Sequence, residues 1–274
     1  MKSWKHKFFR YLVLDILSLS NILFRFQKKG FVQFIYFHDV DQQDIAQFKN
    51  IILYLKNHYV FVSHSEALEL ITQGAERTKN FLSISFDDGF ADNFELAELL
   101  TELNIKACFF ICPSFINGFE SESEKKTTLI KVFNQQSNIE FLTWHQVKKM
   151  IEMGHEIGSH TNRHINLSEH SKQAIEKDLF EAQQLFDKEG ILVKHFAFPY
   201  GTSKEYNPAI ETVLKALNYS SISNAVRGIH TIGAPNVKMI YRDHIIASWP
   251  KRHITYFLKR NQRNSNYINQ KWVS

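Results

Sequence analysis

Residues 81–89 read FLSISFDDG, a short apolar run that ends in two adjacent aspartates and a glycine. Runs of this length and composition are typical of a buried β-strand. Two neighbouring carboxylates at the end of such a strand repel each other and resist burial, so they need a cation or a proton between them. Asp87 and Asp88 are therefore candidates for chemistry, although Asp-Gly is also a common pair in surface turns.

Similar apolar runs recur along the chain from Gly30 onward. Short apolar runs alternate with helical patterns, which predicts parallel strands joined by crossover helices. The number of units indicates an α/β fold, a closed or nearly closed (β/α)7-8 barrel with its chemistry at the C-terminal ends of the strands. The predicted strands are Phe31–Phe37, Phe61–Ser63, Phe81–Phe86, Ala107–Ile111, Glu156–Ser159, His195–Phe198, Tyr219–Ile222 and Met239–Tyr241. The predicted helices include Ile45–Asn57, Asn93–Leu103, Trp144–Met153 and Ala174–Glu189. The polar stretch 117–138 is predicted to be a solvated loop insertion.

A second candidate stretch is 158–164, GSHTNRH, which follows another predicted strand. Two histidines four positions apart can bind one metal ion, although a chain with 13 histidines contains such a pair easily by chance. Together with one carboxylate at a neighbouring strand end, the two histidines form a ligand set that leaves metal positions open for water and substrate. The second aspartate is then available as a base, and this combination is what metal-assisted hydrolysis requires.

A third stretch, FAFPYG at 196–201, ends a further predicted strand. The backbone N–H of Tyr200 is a candidate donor to a developing oxyanion. The alternative is a strand that simply ends at Pro199 and Gly201.

These motifs resemble those of the polysaccharide deacetylase superfamily, also called NodB-like or carbohydrate esterase family 4. The family motif T/S-F-D-D-G matches residues 85–89, and H-S/T-x-x-H matches residues 160–164. The motif R-x-P-Y matches only at Pro199 and Tyr200. The resemblance spans residues 31–245 and implies a distorted (β/α) barrel that removes N-acetyl groups in a metal-dependent reaction.

The resemblance also implies roles for individual residues. Asp87 would be the general base. Asp88, His160 and His164 would bind a divalent metal ion, expected to be zinc. Tyr200 would donate its backbone N–H to the oxyanion, with Pro199 beside it in the motif.

The general acid is a departure from the common family pattern, because no L-x-H motif is present near the C-terminus. Residues 36–40, YFHDV, instead resemble the Y-H-D-V element of a circularly permuted branch that includes poly-N-acetylglucosamine deacetylases. The resemblance makes His38 the candidate acid, with Asp39 supporting it or the substrate. A structural role for His38 stays open, and His244 and His230 are weaker alternatives for the acid.

A further departure is Ala197, which stands where the family has an arginine that positions the base. Arg242, in the stretch IYRDH at 240–244, is a candidate to supply the missing guanidinium. A plain surface salt bridge is the equal alternative.

Composition excludes several classes of protein. The chain has 33 Lys and Arg against 28 Asp and Glu, a formal net charge of +5, and this excess is too weak to indicate nucleic-acid binding. No RNA- or DNA-reading motif is present. Cys108 and Cys112 lie in an apolar run and are predicted to be buried packing residues rather than a disulfide or a metal site.

Residues 1–29 are predicted to form a separate N-terminal helix ahead of a deacetylase domain at residues 30–274. Their apolar stretch is interrupted by polar residues, is too short to span a bilayer and precedes no A-x-A-like cleavage site. At helical spacing it is a basic amphipathic helix. One interpretation is that this helix packs on the domain. The other is that residues 1–28 lie on an anionic membrane surface. The pattern favours a cytoplasmic or peripheral membrane location and leaves a secreted or periplasmic location open. Its apolar face comprises Phe9, Leu12, Val13, Ile16, Leu19 and Leu23.

The resemblance therefore implies an enzyme that hydrolyses the N-acetyl group of an amino sugar within a poly- or oligosaccharide. One alternative is the deacetylation of a small or lipid-linked sugar intermediate inside the cell. The other is a carbohydrate-binding barrel that has lost catalysis, against which the retained Asp87, Asp88, His160 and His164 argue.

Overall fold

The fold is known from a computed structural model of the chain. It describes residues 13–18, 30–74, 76–116, 118–119, 121–133, 139–202, 204–206, 210–234, 237 and 239–271. The strands are β1 (Phe31–Phe37), β2 (Val60–Phe61), β3 (Asn80–Phe86), β4 (Ala107–Ile111), β5 (Glu156–Ser159), β6 (His195–Ala197), β7 (Ser221–Ser223), β8 (Ile229–Thr231) and β9 (Arg242–His244). The α-helices are α1 (Ile45–Lys56), α2 (His64–Gln73), α3 (Asn93–Glu102), α4 (Pro113–Ile116), α5 (Glu122–Phe133), α6 (Trp144–Glu152), α7 (Lys172–Glu189), α8 (Ile210–Ala216) and α9 (Lys251–Lys271).

The strands form one curled sheet in the order β7-β6-β5-β4-β3-β1-β8, with β2 also paired to β3 and β9 to β1. All the pairings are parallel except that of β8, which runs antiparallel to β1. Crossover helices join the parallel strands, as a parallel sheet requires. The mixed α/β architecture with a curled sheet confirms the predicted distorted (β/α) barrel.

The segment 240–244 joins the two ends of this curled sheet. Ile240 forms a parallel bridge with Ser223 at the end of β7, and two residues later β9 pairs with β1 in the register Phe34↔Arg242 and Tyr36↔His244. Because side chains alternate between the two faces of a strand, Arg242 and His244 share one face of β9. Closure of the barrel therefore carries both side chains to its interior.

The alternation of side chains in β3 explains why its sequence reads FLSISF. Leu82, Ile84 and Phe86 belong to the main hydrophobic cluster beneath the helices, whereas Ser83 and Ser85 are buried polar residues. These serines lie on the other face, towards the barrel interior. Asp87, the next residue in this series after Ser85, is therefore directed into the barrel.

The interior is closely packed around Phe110. A Cβ atom added at Gly158 on the neighbouring strand would lie 2.3 Å from Cδ1 of Phe110. Glycine in the GSH stretch therefore gives the Phe110 ring its space. Cys108 and Cys112 are buried and not disulfide bonded, which confirms their predicted packing role.

Three predictions of secondary structure were wrong. The last strand is Arg242–His244 rather than Met239–Tyr241, and the antiparallel Ile229–Thr231 was not predicted. The stretch 117–138 was predicted to be a loop, yet Glu122–Phe133 is helical. This helix forms because it has an apolar edge, which its polar composition obscured: Leu129 is only 3% exposed. The Lys125 ammonium also anchors the helix through a salt bridge with Glu140.

Only residues 13–18 of the predicted N-terminal helix lie within the described part of the chain, and they are helical. Asp15 accepts hydrogen bonds from Arg252 Nε at 2.5 Å and from His253 Nε2 at 2.6 Å, both in α9. Val13 and Ile16 are 37% and 61% exposed. The described turn and a half thus contacts the domain through its polar side. Among the described helices none is long and apolar enough to cross a membrane.

Candidate active site

The predicted metal ligands meet at the C-terminal ends of β3 and β5. Asp88 Oδ1 lies 3.2 Å from His164 Nε2 and 3.5 Å from His160 Nε2. Ligand atoms of the three residues all lie within 4.8 Å of one another, and all three side chains are buried. The spacing H-x-x-x-H thus brings both imidazoles to one carboxylate, as predicted.

Hydrogen bonding orients this ligand set. His160 Nδ1 lies 2.8 Å from the carbonyl oxygen of Ala197. A carbonyl can only accept, so Nδ1 carries a proton, and Nε2, which faces Asp88, is the nitrogen available to a metal. Oδ1 of Asp88 has no hydrogen-bond partner although it is buried. A buried carboxylate oxygen and two imidazoles fit a divalent ion such as zinc, which binds nitrogen and oxygen ligands.

The charge state of Asp88 agrees with this arrangement. Burial raises the pKa of the Asp88 carboxyl, but the neighbouring His164 and His160 outweigh burial and hold it well below the usual range. The carboxylate form, which a metal requires, is therefore the stable one.

Backbone strain is concentrated at this site. Four residues of the site have φ angles in the left-handed region, which non-glycine residues seldom adopt. They are Asp88 (76°), Thr161 (63°), His164 (53°) and Tyr200 (61°). Such conformations persist only where the surrounding structure enforces them, and they are common at functional sites. The strain therefore marks the same residues as the motifs do.

Asp87 forms a buried ion pair. Arg242 donates from Nη1 to Asp87 Oδ1 at 2.7 Å and from Nη2 to Oδ2 at 2.8 Å. Arg242 is 0% and Asp87 2% exposed. This two-bond geometry fixes the carboxylate in distance and in plane.

Further contacts hold the guanidinium in place. Arg242 Nε donates to the carbonyl of Asn224 at 3.0 Å. Its central carbon lies 4.4 Å from the ring centroid of Tyr36 and 5.0 Å from that of Phe110. Of the two interpretations of Arg242, the geometry therefore supports the guanidinium beside Asp87 and not a surface salt bridge. Ala197, which replaces the expected arginine, is a small packing residue against Phe110.

His38 and His244 are paired at the opposite side of the same cleft. His38 Nδ1 lies 3.2 Å from His244 Nε2. Burial, followed by the charge of His38, lowers the pKa of His244 to about 3. His230, the third candidate for the acid, lies elsewhere: its Nε2 accepts from the backbone N–H of Tyr241 at 2.9 Å, and burial lowers its pKa to about 4.

The loop that carries His38 is held by the start of α3. Asn93 Nδ2 donates to the carbonyl of His38 at 3.0 Å, and Asp92 Oδ2 accepts from the backbone N–H of Val40 at 2.6 Å. Asp39, between these two anchored residues, is exposed at the rim of the cleft. The sequence motif identified His38 and Asp39 but contained no sign of these supports.

The candidate base, the metal ligands and the His38–His244 pair line one cleft of about 360 Å³, a size within the range of about 300–1,000 Å³ usual for small-ligand sites. Helix α5, in the stretch predicted to be a loop, supplies an apolar wall of the cleft that the sequence did not predict. The Phe133 ring lies 5.1 Å from that of His164, and the hydroxyl of Tyr200 donates to the Val132 carbonyl at 3.4 Å. The lining residues are Tyr36, His38, Asp39, Asp87, Asp88, Phe90, Val132, Phe133, His160, His164, Phe198, Tyr200, Ala225, His244, Ile245 and Ile246.

Tyr200 lies in this lining and its ring covers His164, with ring centroids 4.9 Å apart. Pro199 precedes it outside the lining residues. The predicted base, metal ligands, acid and oxyanion residue are thus brought together around one cleft, with Arg242 buried behind the base.

Similar proteins have been characterised structurally. IcaB from Ammonifex degensii is 19% identical, with a TM-score of 0.67, over 84% of this chain and 98% of that one. The Streptococcus pyogenes deacetylase PplD is 17% identical, with a TM-score of 0.65, over 84% of this chain and 99% of that one. These likenesses establish the fold.

Similarity in sequence covers a smaller part of the chain. The peptidoglycan-N-acetylglucosamine deacetylase of Bacillus cereus is 24% identical over 120 residues, 43% of this chain and 45% of that protein. The chain spans less than half of the length of its two Bacillus relatives, 40% of one and 45% of the other. A family model described as polysaccharide deacetylase matches residues 74–222, more than half of the 274 residues. The chain belongs to the polysaccharide deacetylase family.

Proposed function

We propose that this protein hydrolyses the N-acetyl group of an amino sugar within a glycan, in a metal-dependent reaction. The observation that carries the proposal is the juxtaposition of two differently held carboxylates. Asp88 faces His160 and His164, whereas the adjacent Asp87 is held by Arg242 and lines the same cleft. A hydrolase needs both a ligand set and a separate proton acceptor at one place.

Asp88, His160 and His164 would hold a divalent ion, for which zinc is the best match to two imidazoles and one carboxylate. When bound, such an ion polarises the acetyl carbonyl and lowers the pKa of water. His160 is kept in the ligating tautomer by the Ala197 carbonyl.

Asp87 is the proposed general base and accepts a proton from the attacking water. Its two hydrogen bonds to Arg242 prevent the carboxylate from rotating away from the cleft. A base held in one orientation transfers protons efficiently because no reorganisation precedes the reaction. Arg242 would thus do what the family arginine, absent at Ala197, does elsewhere.

His38 is the proposed general acid. Its imidazolium gives a proton to the amine nitrogen as the C–N bond breaks, because an amine is a poor leaving group as its anion. The backbone N–H of Tyr200 would donate to the developing oxyanion. Asp39 at the rim would contact sugar hydroxyls or support His38.

The chemistry of the cleft favours an uncharged glycan as substrate. Among the described residues that line it there is no Lys or Arg, while Asp39 at its rim is acidic. Phosphate and pyrophosphate groups are normally recognised by arginine, lysine or a helix N-terminus. A nucleotide- or pyrophosphate-linked sugar is therefore less well accommodated than a neutral N-acetylated poly- or oligosaccharide. The name of the Bacillus cereus relative, which specifies N-acetylglucosamine in peptidoglycan, agrees with this class.

The alternative of a barrel that has lost catalysis has little support from the residues. A protein retained only for binding has no need of an ion-paired base beside a buried ligand set, since burial of these charges is costly.

We also propose that the N-terminal segment contacts an anionic membrane surface. Residues 1–28 contain six Lys or Arg against one acidic residue, Asp15. Asp15 is engaged by Arg252 and His253, whereas Val13 and Ile16 are exposed. Basic charge together with exposed apolar side chains is typical of helices that lie on membrane surfaces, which would make the protein membrane-peripheral.

Removal of one ligand should abolish metal binding. His160→Ala and Asp88→Ala should each lose stoichiometric metal and turnover, because two remaining ligands hold a divalent ion weakly. Elemental analysis of the purified variants measures this, and His145→Ala, at an exposed position, is the matched control. Full metal occupancy in both ligand variants would show that the ion binds elsewhere.

Removal of the base should spare metal but not catalysis. Asp87→Asn keeps the shape of the side chain and cannot accept the proton, so acetate release from N-acetylated oligosaccharides should fall by about a hundredfold or more. The metal content should be unchanged, and Asp187→Asn in α7 is a control for the same chemical change at a distant site. Near-native kcat in Asp87→Asn would assign Asp87 a purely structural role.

Membrane contact should depend on the exposed apolar residues. The full-length protein should sediment with vesicles of anionic phospholipid at low salt, where electrostatic attraction is strongest. Val13→Asp combined with Ile16→Asp should weaken sedimentation, whereas Leu192→Asp, at a residue 75% exposed elsewhere, should not. Equal sedimentation of all three proteins, or of none, would contradict the proposal.

A further inference from the structure

His38 and His244 reach each other through the pairing of β1 with β9. His244 pairs with Tyr36 in the ladder, and His38 is the first residue after β1. The rings meet edge to face, 4.9 Å between centroids and 82° between planes, with Nδ1 of His38 3.2 Å from Nε2 of His244. The contact is therefore set by the register of the sheet and not by a flexible loop.

A hydrogen bond between two imidazoles has a donor and an acceptor, and its direction decides what His38 can do. An imidazolium at His38 carries protons on both nitrogens, so its Nδ1–H can bind only an unprotonated nitrogen. His244 offers such a nitrogen, since burial first, and then the charge of His38, lower its pKa to about 3. A neutral His244 can accordingly accept from His38 Nδ1–H.

We propose that His244 is the positioning residue of the general acid: its Nε2 accepts from His38 Nδ1–H, so that His38 presents Nε2–H to the leaving nitrogen. This inference rests on the proposed function of His38 as the acid. It assigns the second histidine of this pair a role that neither the motifs nor the family resemblance gave it. His244 itself does not exchange protons with the substrate.

Both residues are held by contacts from outside the pair, as a positioning role requires. The His244 ring lies against Tyr36, 5.0 Å between centroids at 31°, and its carbonyl accepts from Arg227 Nη2 at 2.9 Å. The carbonyl of His38 accepts from Asn93 Nδ2. The charged or titratable groups around the pair are Tyr36, Asp39, Asp87, Asp88, Asp92, Arg227 and Arg242.

The proton inventory of the step is balanced. His38 begins as the imidazolium and transfers its Nε2 proton to the amine nitrogen as the C–N bond breaks. It is left as the neutral Nδ1–H tautomer, which keeps the same hydrogen bond to His244. Asp87 then releases to solvent the proton it took from the attacking water, and His38 takes up one proton from solvent at Nε2, so that no net proton is consumed. His244 accepts one hydrogen bond throughout, so the acid does not need to rotate between the two states.

The test compares His244→Leu, which removes the acceptor, with His244→Gln, whose amide oxygen can replace Nε2. On an N-acetylated oligosaccharide, His244→Leu should lower kcat at least about tenfold with little change in KM, and His244→Gln should recover most of it. An activated acetyl ester, whose leaving group needs no proton, should be affected much less. In a His38→Ala background the leucine change should cause no further loss, because the residue acts through His38.

Several results would overturn the inference. One is that His244→Leu loses as much kcat on the activated ester as on the amide. Another is that a folded His244→Gln is no more active than a folded His244→Leu. A third is that the losses of His38→Ala and His244→Leu multiply in the double variant. A measurement that does not depend on turnover distinguishes failure of the His38–His244 pairing from failure of the proposed function. Nitrogen NMR of the histidine rings, assigned with His244→Gln, should show His244 as the Nδ1–H tautomer even in a protein that releases no acetate. A protonated Nε2 on His244 would refute the pairing.

Discussion

The buried ion pair between Arg242 and Asp87 joins the closing segment of the barrel to the end of its central strand β3. Both groups are removed from water, so either one alone would be an uncompensated buried charge, which costs about 3–5 kcal/mol. Arg242 belongs to β9, which pairs with β1 and comes directly after the bridge to β7, whereas Asp87 ends β3. One side chain thus ties the closing segment of the barrel to the strand that carries the chemistry.

The pair also resolves the repulsion inherent in the sequence FDDG. Two adjacent carboxylates are buried without sharing one partner: Asp87 turns to a guanidinium and Asp88 turns to two imidazoles. Left-handed backbone at Asp88 makes this divergence possible. Each carboxylate therefore has its own electrostatic environment, and two neighbouring residues can serve different purposes, ligand and base.

Local sequence pattern was sufficient to predict that the candidate base and the candidate metal ligands lie together. Alternation in β3 and the spacing of His160 and His164 placed them together, because strand ends in a parallel sheet share one edge. The short strands β8 and β9 were missed or misplaced because three residues carry too little periodicity, and their register is set by tertiary pairing. The helix α5 was hidden by its polar composition. The partner of His38 could not be predicted because it depends on that same register.

The most direct test of this account is a double-mutant cycle on the ion pair, measured as the free energy of unfolding. Arg242→Met and Asp87→Asn should each destabilise the protein by about 3–5 kcal/mol, and the double variant by much less than the sum. The exposed pair Arg163 and Glu181, changed to Met and Gln, should show a coupling below about 1 kcal/mol. Additive losses at Arg242 and Asp87 would contradict the account, because the two residues would then stabilise the barrel independently.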